Sequence, residues 1–151
     1  MSRRNKKIEM LGWASRYREL ERQNAQLIAA KMAADARSAE ELLLKKQDEL
    51  KAADTQWSNT MARGNTFDIL AGQLWRAEYV RCAKAELEAA AAQNHARAEL
   101  ISASAQLQRS SGLAERSRED YGMAKKKGLH KREEQRLLAL TDLHVIRSRS
   151  R

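Results

Sequence analysis

No proline occurs anywhere in the 151 residues, and glycine occurs only six times. Proline and glycine are the residues that punctuate turns, and a globular domain of this length normally carries several of each. A chain with almost no punctuation is predicted to run in a few very long helices. Hydrophobic residues reach 42%, much of it alanine, while aromatics stand at 5%. Alanine is the strongest helix former because it loses no side-chain entropy on folding, yet it buries little area. The composition therefore predicts a thin helix-on-helix seam in place of a thick core.

Apolar spacing divides the chain into two helical segments. The first is predicted over about 7–58, with apolar positions at Trp13, Tyr17, Leu20, Ile28, Met32, Ala36, Ala39, Leu43, Leu50, Ala53 and Trp57. Steps of three, four and seven are the a/d pattern of a coiled coil. In this register Asn24 and Lys46 fall on the seam, and steps of four between Asn24 and Ala36 form a stutter, which unwinds a coiled coil locally. A turn is predicted over 59–66, around Gly64, with Asn65 or Thr66 as N-cap of the second segment and the Asp68 carboxylate favoured at its helix start. The second helix is predicted over about 67–146. Its stripe reads Phe67, Leu70, Leu74, Ala77, Val80, Ala83, Leu87, Ala90 and Ile101, and resumes at Leu137, Leu140 and His144. Gly112, Gly122 and Gly128 each cost a helix about 1 kcal/mol relative to alanine, so a weakened or bent region is expected there.

A short turn between long helices makes them antiparallel neighbours. The expected fold is all-α: one coiled-coil hairpin over 1–151 whose longer second helix partly projects. Folding at residue 62 would leave helix one without sequence opposite residue 117 or so. The last thirty-odd residues would then extend alone for about 45 Å. The same fold gathers the basic residues at one end and Trp57, Phe67, Trp75 and Tyr79 near the other.

Net charge is +9, and its distribution is uneven. Residues 1–7 hold four basic groups (Arg3, Arg4, Lys6 and Lys7), residues 125–132 hold five, and the tail 147–151 holds Arg147, Arg149 and Arg151. These twelve exceed the whole net charge, so the long body is a balanced surface. Concentrated basic charge suits an acidic partner. The single cysteine, Cys82, has no internal disulfide partner, in keeping with a reducing compartment. No uncharged run approaches the roughly 20 residues of a membrane helix, and the basic start lacks the apolar stretch of a signal peptide. A cytoplasmic protein is expected.

Catalysis finds little support in the residues. His95, His130 and His144 have no ligand spacing with one another or with Cys82, so no metal site is expected. Cys82, on an alanine-rich segment, reads as a small seam or flank residue. Ala62-Arg63-Gly64-Asn65-Thr66 lacks the spaced glycines and lysine of a phosphate loop. No cofactor and no catalytic residue is assigned, and the chain is read as a non-enzyme. Trp57 is read as capping the seam against Phe67. Trp75 adjoins Leu74, and both cannot enter one two-helix seam, so Trp75 is a candidate exposed anchor for a partner.

The layout resembles the FliJ/YscO family, the stalk proteins of flagellar and injectisome type III secretion. The resemblance covers nearly the whole chain in architecture: a shorter first helix, a short turn and a longer second helix with a basic end. Locally it rests on Phe67-x-x-Leu70-x-x-x-Leu74-x-x-Ala77 and on the charged stretch from Glu119-Asp120-Tyr121 through Lys131-Arg132-Glu133-Glu134-Gln135 to Leu140-Thr141-Asp142-Leu143. The glycines at 112, 122 and 128 depart from the family pattern. The resemblance implies a stalk whose basic end (Arg3, Arg4, Lys6, Lys7, Arg147, Arg149 and Arg151) enters the pore of a hexameric secretion ATPase. Phe67, Leu70, Leu74 and Ala77, with Trp75 beside them, would face the cytoplasmic ring of the export gate, at the periphery of the inner membrane. Export chaperones are further partners it implies. Two other readings of the residues stay open: a basic coiled coil that binds nucleic acid, and a self-associating scaffold whose polar seam residues set the register.

Overall fold

The computed structural model of the protein describes residues 3–62 and 68–149, which form two helices, α1 (Arg3–Ala62) and α2 (Ile69–Arg149). They pack against each other as an all-α hairpin, as the proline-free composition predicts. Both helices outrun their expected bounds, α1 at its C-terminal end to Ala62 and α2 to Arg149. The cap of α2 is Asp68: its Oδ1 accepts the Leu70 N–H at 3.0 Å, and its carbonyl accepts the first helical bond from Gly72 at 3.0 Å. An aspartate in this position satisfies an orphan N–H and complements the positive helix end. The expected capping residues Asn65 and Thr66, like Phe67, lie outside the described residues.

The chain divides into two compact units, Gln26–Gln106 and Met1–Ala25 with Leu107–Arg151. In the first, the antiparallel register is fixed by Trp57 on Trp75, by Gln47 donating to Glu86 at 3.5 Å, and by Glu40 with Arg97 at 3.6 Å. In the second it is fixed by Glu19 with Arg118 at 3.3 Å, the Tyr121 ring against Gly12, and Ile8 against Gly128. The fold point lies between Ala62 and Ile69, later than residue 62, so pairing continues to Gly128 instead of ending near 117. The part of α2 beyond Gly128 is correspondingly shorter, and its residues from Leu129 to Val145 are exposed.

The seam line follows a strict alternation of three and four, with further half-covered residues beside it, among them Gly12, Glu21, Ala33 and Gln47 on α1 and Ala83 and Ala90 on α2. On α1 the line runs Ile8, Leu11, Ser15, Arg18, Arg22, Ala25, Ala29, Met32, Ala36, Ala39, Leu43, Lys46, Leu50, Ala53 and Trp57. On α2 it runs Gly72, Trp75, Tyr79, Cys82, Glu86, Ala89, Gln93, Ala96, Leu100, Ala103, Leu107, Ser110, Ala114, Ser117, Tyr121, Ala124 and Gly128, with Tyr79 at the margin. No stutter interrupts either set. From Met32 to Trp57 the seam is the expected one, and Lys46 lies on it. Before Met32 the expected line is wrong: Trp13 and Tyr17 are 69% and 61% exposed, Leu20 and Ile28 are exposed too, and Asn24 points outward with them. On α2, Leu70, Leu74, Ala77, Val80, Leu87 and Ile101 likewise sit outside the seam.

The physical reason is the size of the seam residues. The buried hydrophobic residues are Ala25, Ala36, Cys82, Ala89, Ala103 and Ala114. Small side chains let two backbones approach closely, and a close seam has no room for tryptophan or leucine at every layer. The glycines follow the same logic. α2 is continuous through Gly112, Gly122 and Gly128, so the expected weak region does not interrupt it. A β-carbon on Gly128 would lie 3.2 Å from Ile8 Cδ1, and one on Gly12 would lie 3.1 Å from the Tyr121 ring. At these two positions the missing side chain is what admits a larger one from the other helix.

Candidate functional site

In the unit Gln26–Gln106 the aromatic residues near the connection form a stack that belongs to the seam. Trp57 and Trp75 lie with ring centroids 4.7 Å apart, and Tyr79 follows at 5.3 Å from Trp75. The Trp75 Nε1–H donates to the Ala53 carbonyl at 3.2 Å. An aromatic with its polar edge satisfied in this way is packing, so Trp75 is turned inward and is not the exposed anchor expected. Its neighbour Leu74 takes the outward position. Leu70, Leu74 and Ala77 share one exposed face of α2, with Ile69 and Val80 adjoining, and Ile69, Leu70 and Leu74 are each more than 60% exposed. Three of the residues expected to form an apolar contact surface are thus brought together. Phe67 lies outside the described residues.

In the other unit the basic residues are distributed over both helices. Lys6 and Lys7 are exposed on the first turns of α1, and Lys125, Lys126, Lys127, Lys131 and Arg132 are exposed on α2. Arg3 and Arg4 belong to the start of α1 and Arg147 and Arg149 to the end of α2; Arg151 lies outside the described residues. Past Gly128, α2 carries leucines as well as charge: Leu129, Leu137, Leu138, Leu140 and Leu143 are all at least half exposed. Depressions here are open to solvent, such as the one lined by Lys126, Leu129, His130 and Glu133.

Acidic residues in both units are held by nearby cations. Glu19 takes hydrogen bonds from Arg22, the closest at 2.6 Å, and an ion pair from Arg118; the Arg22 bond is the main cause of its lowered pKa. Arg22 is raised in return. Glu49 beside Lys46 and Glu78 beside Arg81 are lowered in the same way. These are helix-surface pairs at i, i+3, where side chains one turn apart are neighbours. Among the described residues no group of histidine, cysteine and carboxylate side chains could hold a metal ion. Cys82 is buried on the seam.

The stripe Trp13, Tyr17, Leu20 and Ile28 is the surface that periodicity alone misassigned. Counting strict heptads back from Met32 reaches Ala29, Ala25 and Arg22, and would have placed it outside. Ranking positions by hydrophobicity favours the larger side chains, whereas this seam selects the smaller. The chain matches no family model, no curated protein and no solved structure.

Proposed function

We propose that this chain is a non-enzymatic stalk of a type III secretion export apparatus, flagellar or injectisome, acting by contact alone. The observation that carries the reading is the end of α2. Past Gly128, which Ile8 of α1 adjoins, it continues through Leu129 to Val145 as an exposed helix bearing both basic residues and leucines. A helix with this character suits insertion into an acidic, partly apolar opening, such as the pore of a hexameric secretion ATPase. The exposed Ile69, Leu70, Leu74 and Val80 face suits a second partner, the export-gate ring. Apolar residues gathered on one face in this way are typical of interaction sites. Export chaperones are a third class of partner, and the chain would work at the cytoplasmic face of the inner membrane.

The test is a turnover assay with a purified secretion ATPase hexamer. Wild type should raise ATP turnover, and the effect should fall with salt, as long-range charge steering does. Reversing Lys131 and Arg132 together with Arg147 and Arg149 to glutamate should remove the stimulation while helix content stays unchanged. Leu74→Glu should spare the ATPase and weaken binding to the export-gate ring. Wild type that binds mixed-sequence nucleic acid and leaves the ATPase unmoved would overturn the proposal.

A further inference from the structure

The outer face of α1 carries a second coiled-coil seam. Met10, Trp13, Tyr17, Leu20 and Asn24 repeat the alternation of three and four, offset by two residues from the Ile8, Leu11, Ser15, Arg18, Arg22 and Ala25 line that α2 covers. The four apolar members are between 61% and 69% exposed. An a/d stripe fits a helix with the same spacing, since each side chain needs a hole formed by four residues of its partner.

We infer that the occupant is a second copy of this chain, paired through α1 in parallel and in register. The charges beside the stripe decide the direction. In a parallel pair, the residue flanking one seam position meets the residue five places on in the other helix. That sets Arg16 of each copy against Glu21 of the other, twice by symmetry. An antiparallel pair with Trp13 facing Tyr17 would set Arg16 against Arg16. Arg16 already lies along the edge of the stripe, its guanidinium 5.5 Å from the centroid of the Trp13 ring. Glu21 borders the opposite edge of the stripe, half-buried, with Arg18 at 2.7 Å.

Asn24 completes the case. In register, the two Asn24 side chains face each other and can satisfy their amides mutually, which is how a lone asparagine at such a position selects one register. In an antiparallel pair an a position faces a d position, so Asn24 would face Trp13 or Lys6 and lose that partner. Two heptads bury less than the roughly 800 Å² per partner of a standard interface, so the pair is concentration-dependent. This inference does not depend on the stalk reading, and its test contains no ATPase.

Sedimentation equilibrium of the full chain should give a mass that rises from one chain toward two with concentration. Leu20→Glu should weaken the pair at least about tenfold, as loss of a central anchor does, without loss of helix signal. Arg16→Glu should weaken it too, and Arg16→Glu with Glu21→Arg should restore it. With Cys82→Ser as background, Asn24→Cys should form an interchain disulfide on oxidation with oxidised glutathione, because in-register positions bring the two β-carbons within reach. A single-chain mass at every concentration overturns the inference, as does a dimer indifferent to Leu20→Glu. A dimer without the cysteine cross-link and without charge-swap rescue overturns the parallel register.

Discussion

The Tyr121 ring of α2 rests against Gly12 of α1, its Cε2 3.1 Å from where a β-carbon would stand. Gly112 and Gly122 have nothing within 4 Å of that point. The three glycines therefore separate backbone cost from packing. Gly112→Ala and Gly122→Ala should each stabilise by about 0.5–1 kcal/mol through helix propensity, raising Tm by about 2–4 °C. Gly12→Ala gains the same propensity but must push the ring aside by a few tenths of an ångström, so its net effect should be smaller. Gly12→Leu has no such latitude and should cost about 1–3 kcal/mol. Thermal melts followed by circular dichroism check the order.

Leucines outside the seam should be nearly silent, and alanines inside it should not tolerate growth. Leu43 is half-buried on the seam and Leu87 is 68% exposed outside it. Leu43→Ala should cost about 1–2 kcal/mol, below the 2–5 of a fully buried leucine. Leu87→Ala should stay within about 0.5 kcal/mol. Ala89 is 5% exposed at a close approach of the helices, and Ala89→Leu should cost about 1–3 kcal/mol by forcing them apart. Chemical denaturation of the three variants would show the seam misplaced if Leu87→Ala proved the most harmful.

These same residues set how far the sequence could be read. The absence of proline and the abundance of alanine sufficed for two long helices and one turn. Register from Met32 to Trp57 was legible because leucine, methionine and tryptophan share the seam with alanine there. Toward the start of α1 the seam passes to Ala29, Ala25, Arg22, Arg18 and Ser15, while Trp13, Tyr17 and Leu20 take the outer face. Hydrophobicity ranks the wrong stripe first in that stretch, and only strict heptad counting corrects it. Trp75 was legible as an alternative to Leu74, but choosing between them needed the Trp57 ring and the Ala53 carbonyl as partners. The candidate contact residues Leu70, Leu74 and Ala77 were found as a stripe, yet what periodicity offered as seam is exposed surface.

Trp75 combines a stack and a hydrogen bond, and substitution can part them. Trp75→Phe keeps a ring against Trp57 and loses the bond to the Ala53 carbonyl, a change of about 0.5–1.5 kcal/mol. Trp75→Ala loses the stack as well, adding about 0.5–1.5 kcal/mol to the lost apolar burial. Amide exchange at the C-terminal turns of α1 should rise in the same order, measured by mass spectrometry. Equal exchange in both variants would mean that the hydrogen bond carries the whole effect.

Acid should loosen the Glu19 contacts. Hydrogen bonding from Arg22, with Arg118 nearby, lowers the Glu19 pKa in the folded chain below its ordinary value. A carboxyl that binds protons less readily when folded contributes stability above its unfolded pKa and loses it as pH falls through the folded one. The wild type should therefore lose thermal stability on acidification more steeply than Glu19→Gln, which has no such proton to take up. Melting curves of the two proteins from neutral to acid pH give the comparison; parallel slopes would place the acid sensitivity at other carboxylates.

The end of α2 should be dispensable for the fold and required for the proposed contact. Every residue from Leu129 to Val145 is exposed, whereas Gly128 lies against Ile8 of α1. Ending the chain after Gly128 removes exposed helix and retains all the seam positions. Surface changes of this kind are small in free energy, so Tm should move by no more than about 2 °C, while the helical signal falls in proportion to the residues removed. ATPase stimulation should disappear in the same protein. A truncated chain that melts far lower would show that the end of α2 is held by something in the fold. A truncated chain that still stimulates turnover would move the ATPase contact to Lys6 and Lys7 on α1.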